Sequence, residues 1–159
     1  MIPYSRAFAF TMFVSGMLFS LGAEATPSPV PVQLHKAKVA GRTTEVLAGT
    51  NGKTLYYFTH DTRGVATCSG SCASLWPPLL SRAQVARHVT GIPGVFSSVK
   101  GPNGLQVDYN GHPLYYYAPD TRAGEALGNG LFGGTWWAAT PKLAYYANNE
   151  TVPPAHSSW

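Results

Sequence analysis

The segment Gly52-Lys-Thr-Leu-Tyr-Tyr-Phe-Thr-His-Asp61-Thr-Arg63 returns without a gap as Gly111-His-Pro-Leu-Tyr-Tyr-Tyr-Ala-Pro-Asp120-Thr-Arg122. Seven of the twelve positions are identical across an offset of 59 residues. A period this long marks one small supersecondary unit used twice, and two such units must stack to share a core. The expected body is a single two-repeat domain over 39–147, with repeat 1 over about 43–80 and repeat 2 over about 95–141.

The N-terminus reads as a secretory signal peptide over 1–25. Arg6 is the only charged side chain before Glu24, Ala7 to Leu21 is an apolar stretch of 15 residues, and Ala23-Glu24-Ala25 fits a cleavage site. The stretch falls short of the roughly 20 apolar residues that span a bilayer. The expectation is a periplasmic or secreted chain, soluble after cleavage near Ala25, with no membrane span in its mature part. A leader over 26–38 alternates Pro with small residues at its start and is expected to be flexible. The tail over 148–159 is expected to be loose, and Asn149-Glu-Thr151 fits a glycosylation sequon. The net charge of +4 is spread along the chain. Nucleic-acid binding needs a focused basic patch, so that class of partner is not expected.

Four Asn-Gly pairs punctuate the body, at Asn51, Asn103, Asn110 and Asn129. Asn-Gly supplies the two positive-φ residues of a type I′ hairpin turn. The pattern predicts hairpins of Thr43–Leu47 with Thr54–Phe58, Val95–Lys100 with Leu105–Tyr109, and Leu105–Tyr109 with Pro113–Tyr117. A last strand is expected over Thr135–Thr140, and one helical turn over Ser71–Leu75. Two turns over Ser81–His88 lack a convincing apolar stripe. The fold class is therefore mainly β: a small antiparallel, sandwich-like domain of two pseudo-repeats with one disulfide-closed loop.

Candidate chemistry is sparse. Tyr56, Phe58 and Asp61 recur as Tyr115, Tyr117 and Asp120. Residues two apart on a strand share a face, so one aromatic pair per repeat is expected to meet the shared core. Each Asp stands past a strand end, where it caps a turn or joins its mate in holding a cation or a sugar. Cys68 and Cys72 are the only cysteines. In an oxidising compartment they form a disulfide; reduced, with His60, they would suit thiol redox chemistry or soft copper. The histidines His35, His60, His88, His112 and His156 form no ligand spacing, and each alone is expected at the surface. Trp76, Trp136 and Trp137 are core residues or a binding surface. Alternation along the strand would expose one of the Trp136-Trp137 pair. No nucleophile–base set, zinc motif or phosphate loop appears. A glycoside hydrolase would need two carboxylates about 5–10 Å apart in a cleft, and only Asp61 and Asp120 are placed to serve.

These motifs resemble the bacterial secreted-repeat family, predicted lipoproteins that carry a Tyr-x-(Phe/Trp/Tyr)-x-x-Asp motif. Gly52 to Asp61, followed by Cys68-Ser-Gly-Ser-Cys72-Ala-Ser-Leu-Trp-Pro-Pro78, matches the first repeat. Gly104 to Asp120, with Trp136-Trp137, matches the second. The chain lacks the lipobox cysteine near its cleavage site. The resemblance implies class and compartment but no activity. The leading expectation is an exported, non-enzymatic binding or interaction domain with no catalytic residue, no cofactor and an unknown ligand or protein partner. The alternative is a periplasmic thiol-redox or copper-handling protein using Cys68, Cys72 and His60.

Overall fold

The computed structural model describes residues 27–146. The expected signal peptide and the expected loose tail, with the sequon and His156, lie outside the described residues. Strand β1 (Val32–Val39) pairs antiparallel with β2 (Arg42–Gly49), from Val32 opposite Gly49 to Val39 opposite Arg42. Ala40 and Gly41, with φ of 46° and 80°, close this hairpin in the doubly left-handed turn that suits twisted strands. Next come β3 (Tyr56–Phe58) and a short helix α1 (Ser71–Leu75). Strands β4 (Phe96–Gly101), β5 (Gly104–Tyr109) and β6 (His112–Pro113) form a three-stranded antiparallel sheet. Strand β7 (Trp136–Ala138) closes the order and pairs with β3.

This is the mainly antiparallel β architecture expected from the sequence, with two differences. Thr43–Leu47 does not form a hairpin with Thr54–Phe58. Its strand pairs with β1, and it meets the next segment at a single bridge, Ala48–Thr54, through Leu55 N–H to Leu47 O and Gly49 N–H to Lys53 O. Strand β1 lies mostly within the expected leader because Val32, Ala37 and Val39 each find a buried site. The third hairpin is also brief. Asn110 (φ 53°) and Gly111 (φ 89°) turn the chain, but the pairing ends at Pro113.

Tyr115 instead crosses to the other repeat. Tyr56 N–H donates to Tyr115 O at 2.8 Å, and Tyr115 N–H returns the bond to Tyr56 O at 2.9 Å. Around this pair the molecule has an approximate twofold relation. Leu79 N–H donates to Leu114 O, and its mate Ala139 N–H donates to Leu55 O. Leu47 N–H donates to Ala139 O, and Val107 N–H to Leu79 O. Each repeat thus sends its last strand to complete the other repeat's sheet. Neither repeat can satisfy its own backbone groups alone.

Burial follows from this exchange. Tyr56 and Tyr57 are adjacent, point to opposite faces and are both buried. Tyr57 joins a core of Leu47, Leu55, Phe96, Tyr109 and Leu114. Tyr56 joins a second core of Val46, Cys68, Trp76, Tyr115 and Trp136. The sequence reading put one aromatic pair per repeat in one shared core; the fold has a core on each face of the crossing strands.

His112, expected at the surface, is buried against Tyr57 and Tyr146. Its Nε2 lies 3.0 Å from Ala144 O, so the neutral ring carries its proton there. Burial lowers its pKa from 6.5 to about 4. The neutral form is the one that packs, so this contribution is present above pH 6.5 and is lost as pH falls toward 4. Burial raises Asp61, Asp108 and Asp120, which work in the opposite sense as pH falls. The difference in unfolding free energy between the wild type and His112→Gln isolates the ring. It is expected to shrink by roughly 2–3 kcal/mol on acidification from neutral pH. A difference that stays flat would show that the ring is solvated.

Candidate functional site

The repeated motif builds a crossed lock. Asp61 follows β3, and its Oδ1 accepts the backbone N–H and the hydroxyl of Thr67, both at 2.7 Å. Its Oδ2 accepts the phenol of Tyr115, from the other repeat, at 2.7 Å. Asp120 does the same in mirror order. Oδ1 takes Leu127 N–H at 3.0 Å, and Oδ2 takes the Tyr56 phenol at 2.5 Å. Each tyrosine therefore donates to the aspartate of the opposite repeat. Both carboxylates are buried, and desolvation pushes both pKa values up, while their hydrogen-bond donors pull the other way. Burial and the neighbouring carboxylate hold the Tyr56 and Tyr115 phenols far above the ordinary tyrosine range, so they keep their protons and donate.

A stack of four rings crosses the same axis. Trp76 and Trp136 lie face to face at 3.9 Å with planes 1° apart. Phe58 continues the stack beyond Trp136 at 4.3 Å, and Tyr117 beyond Trp76 at 4.4 Å. Tyr56 meets Trp76 edge-on, and Tyr115 meets Trp136 edge-on. Trp76 and Trp136 are thus core residues, which removes them from the expected binding surface. Trp137 is half-buried and keeps that candidacy.

The close approach of backbone to these rings depends on Gly128. A Cβ there would stand 2.7 Å from Trp76 Cη2 and 3.0 Å from Tyr56 Cε1. Gly128→Ala is therefore expected to cost about 1–3 kcal/mol by overpacking, read as a lower urea midpoint. An unchanged midpoint would mean that the stack has room to shift.

The cysteines form the expected disulfide between Cys68 and Cys72. It closes the loop that leads into α1, and with both sulfurs bonded no thiolate remains for a metal. His60 is exposed and packs on Phe58. Among the described residues no group of three His, Cys, Asp or Glu could hold a metal ion, so Cys68, Cys72 and His60 are not assembled as the ligand set of the copper alternative. Among the described residues no helix is long and apolar enough to cross a membrane.

The region that repeat 1 closes with its disulfide is open in repeat 2. Asn129 to Gly134 forms a turn in which Gly130, Phe132, Gly133 and Gly134 all have positive φ. The turn wraps Trp137, whose Nε1–H donates to Gly134 O at 2.7 Å. Between it and the β1–β2 turn lies a cleft of about 290 Å³ lined by Val39, Ala40, Arg42, Asn129 and Trp137. Of these only Trp137 was singled out as a site residue in the sequence, because the walls come from segments that no local pattern connects.

A family model described as a secreted repeat of unknown function matches residues 41–80 and 97–140. No curated protein and no solved structure gives a match.

Proposed function

The chain belongs to a family of secreted repeats of unknown function, and we propose that it works after export, in the periplasm or outside the cell, as a non-enzymatic binding module. The observation that carries this reading is the saturation of the motif carboxylates. Asp61 and Asp120 spend both oxygens on donors from the protein itself. A general acid or base must reach the proton it moves in the substrate, and neither aspartate is exposed to do so. The repeated residues build a rigid frame, and recognition is left to the turns the frame presents.

A thermal-shift screen of the mature chain against neutral sugars, organic acids, amino acids and, after reduction, Cu(I) tests this. The expected result is a saturable rise in Tm with one organic class, and that ligand recovered unchanged. Turnover of any ligand, or stabilisation by Cu(I) alone through the freed thiols, would replace this reading.

A further inference from the structure

The two repeats treat their outer strand edges differently. Strands β2 and β5 correspond through Leu47 and Val107, so their hairpin partners β1 and β4 correspond as well. Lys38 N–H donates to Gly124 O, away from β2, and Leu47, which stands opposite Leu34, bonds away from β1. Bonding alternates along an antiparallel pair, so Leu34 and Lys36 also turn their N–H groups away from β2. Among the described residues no backbone group meets them there. On β4 the same edge is covered by the stretch 85–87. Phe96 N–H donates to Arg87 O, and Val85 N–H donates to Ser98 Oγ at 3.2 Å. The covered edge shows what this position takes in the fold, namely a length of main chain. On β1 the loop at Gly124 closes only the far end, where a Cβ would stand 3.0 Å from Lys36 O.

The side chains along the open edge are of two kinds. Leu34, Lys36 and Lys38 are spaced two apart and share a face. Leu34 is half-buried and packs on the core of Leu47 and Leu55. Lys36 and Lys38 are exposed, and Lys38 Nζ donates to Thr43 Oγ1 at 2.8 Å. Glu45 stands opposite Lys36, yet among the described residues neither lysine makes an ion pair. Asp61, Asp108 and Asp120 are buried, so little surface acid competes for these ammonium groups. Two lysines on an edge repel a second copy of the same strand. They attract a strand that carries acids in register with them.

We propose that the open edge of β1 takes an extended acidic segment of another protein as an added antiparallel strand. Backbone bonds at Leu34 and Lys36 hold the segment, an apolar residue meets Leu34, and two acids spaced two apart meet Lys36 and Lys38. The proposal goes beyond the binding-module reading by adding a protein partner, and it does not depend on the small ligand that the thermal screen returns.

The probe is the capped peptide Thr-Glu-Thr-Glu-Thr-Val-Thr, titrated into the mature chain and followed through its backbone amide signals. Saturable shifts are expected at Leu34 and Lys36, with slower hydrogen exchange at both, and a Kd of about 1 mM or tighter. The same peptide with Gln in place of Glu is expected to bind about tenfold more weakly. Lys36→Pro removes an N–H that β2 does not use, so the hairpin tolerates it, and binding is expected to fall at least about tenfold. The double variant Lys36→Gln with Lys38→Gln leaves the backbone untouched and is expected to lose about tenfold through charge alone. The proposal is overturned if the acidic peptide does not saturate by about 10 mM. Equal binding of the Gln peptide, shifts that fall outside β1, or full binding by either variant overturns it too. Shifts at Leu34 and Lys36 that arise on concentrating the chain alone would assign the edge to a second copy and overturn it as well.

Discussion

Asp61→Ala is expected to remove about 3–5 kcal/mol of stability, a large share of the 5–15 kcal/mol that holds a domain of this size. The substitution takes the acceptor from three donors at once: the Thr67 N–H, the Thr67 hydroxyl and the Tyr115 phenol. Tyr115 is fully buried, so its phenol finds no water in exchange. Each buried donor left unsatisfied costs about 1–3 kcal/mol. Asp120→Ala should fall slightly below this, since Asp120 serves two donors, Leu127 N–H and the Tyr56 phenol. The coupling is the sharper result. In a double-mutant cycle by urea denaturation, Tyr115→Phe should cost about 1–3 kcal/mol alone and close to nothing in the Asp61→Ala background. Tyr56→Phe should couple to Asp120 likewise, keeping in the Asp120→Ala background the cost of the Gly128 N–H that its hydroxyl accepts, and should add independently to Asp61→Ala. Coupling within a repeat instead of across the two would remove the crossed lock.

The second large effect is expected at the ring stack. Trp76→Ala should cost about 3–5 kcal/mol, the range for truncating a buried tryptophan. Trp76 is 1% exposed and touches Trp136, Tyr56 and Tyr117. Its loss opens a cavity on the axis and leaves Trp136 without its face-to-face partner. Because Trp136 is its mate, Trp136→Ala should cost a similar amount, and Trp76→Phe much less than either. A small effect at one tryptophan and a large one at the other, read from thermal or urea unfolding, would show that the stack is not shared.

Much of this architecture can be read in the chain because its local signals are strong. The twelve-residue repeat, the Asn-Gly turns and the β-rich runs mark two units of antiparallel strand, and the sequence places α1 and the disulfide correctly. What cannot be read is the exchange. The Tyr115–Asp61 and Tyr56–Asp120 bonds span 54 and 64 residues, and nothing local distinguishes them from pairing within a repeat. The tryptophan mates hide for a related reason. Tyr56 and Tyr115 stand 59 apart but Trp76 and Trp136 stand 60 apart, so the gapless alignment slips beyond Asp120. Strand β1 was obscured by the proline-rich run before it and by a turn, Ala40-Gly41, without the usual Asn. His112 looked like a surface residue because its burial is imposed by Tyr57 and by the segment around Ala144 and Tyr146, both distant in sequence. At the cleft, strand alternation pointed to an outward ring in the Trp136-Trp137 pair. Arg42 and Asn129 carry no signal until the fold brings them together.

Native-state hydrogen exchange addresses most directly whether the two repeats are one interlocked body. The amides of Tyr56 and Tyr115 bond to each other's carbonyls, and those of Leu79 and Ala139 lie on the donated strands. All four should exchange only through global unfolding, with equal free energies that fall together in urea. If the amides of one repeat open at a lower free energy while the other stays closed, the repeats are separable and the exchange of strands does not hold the molecule together.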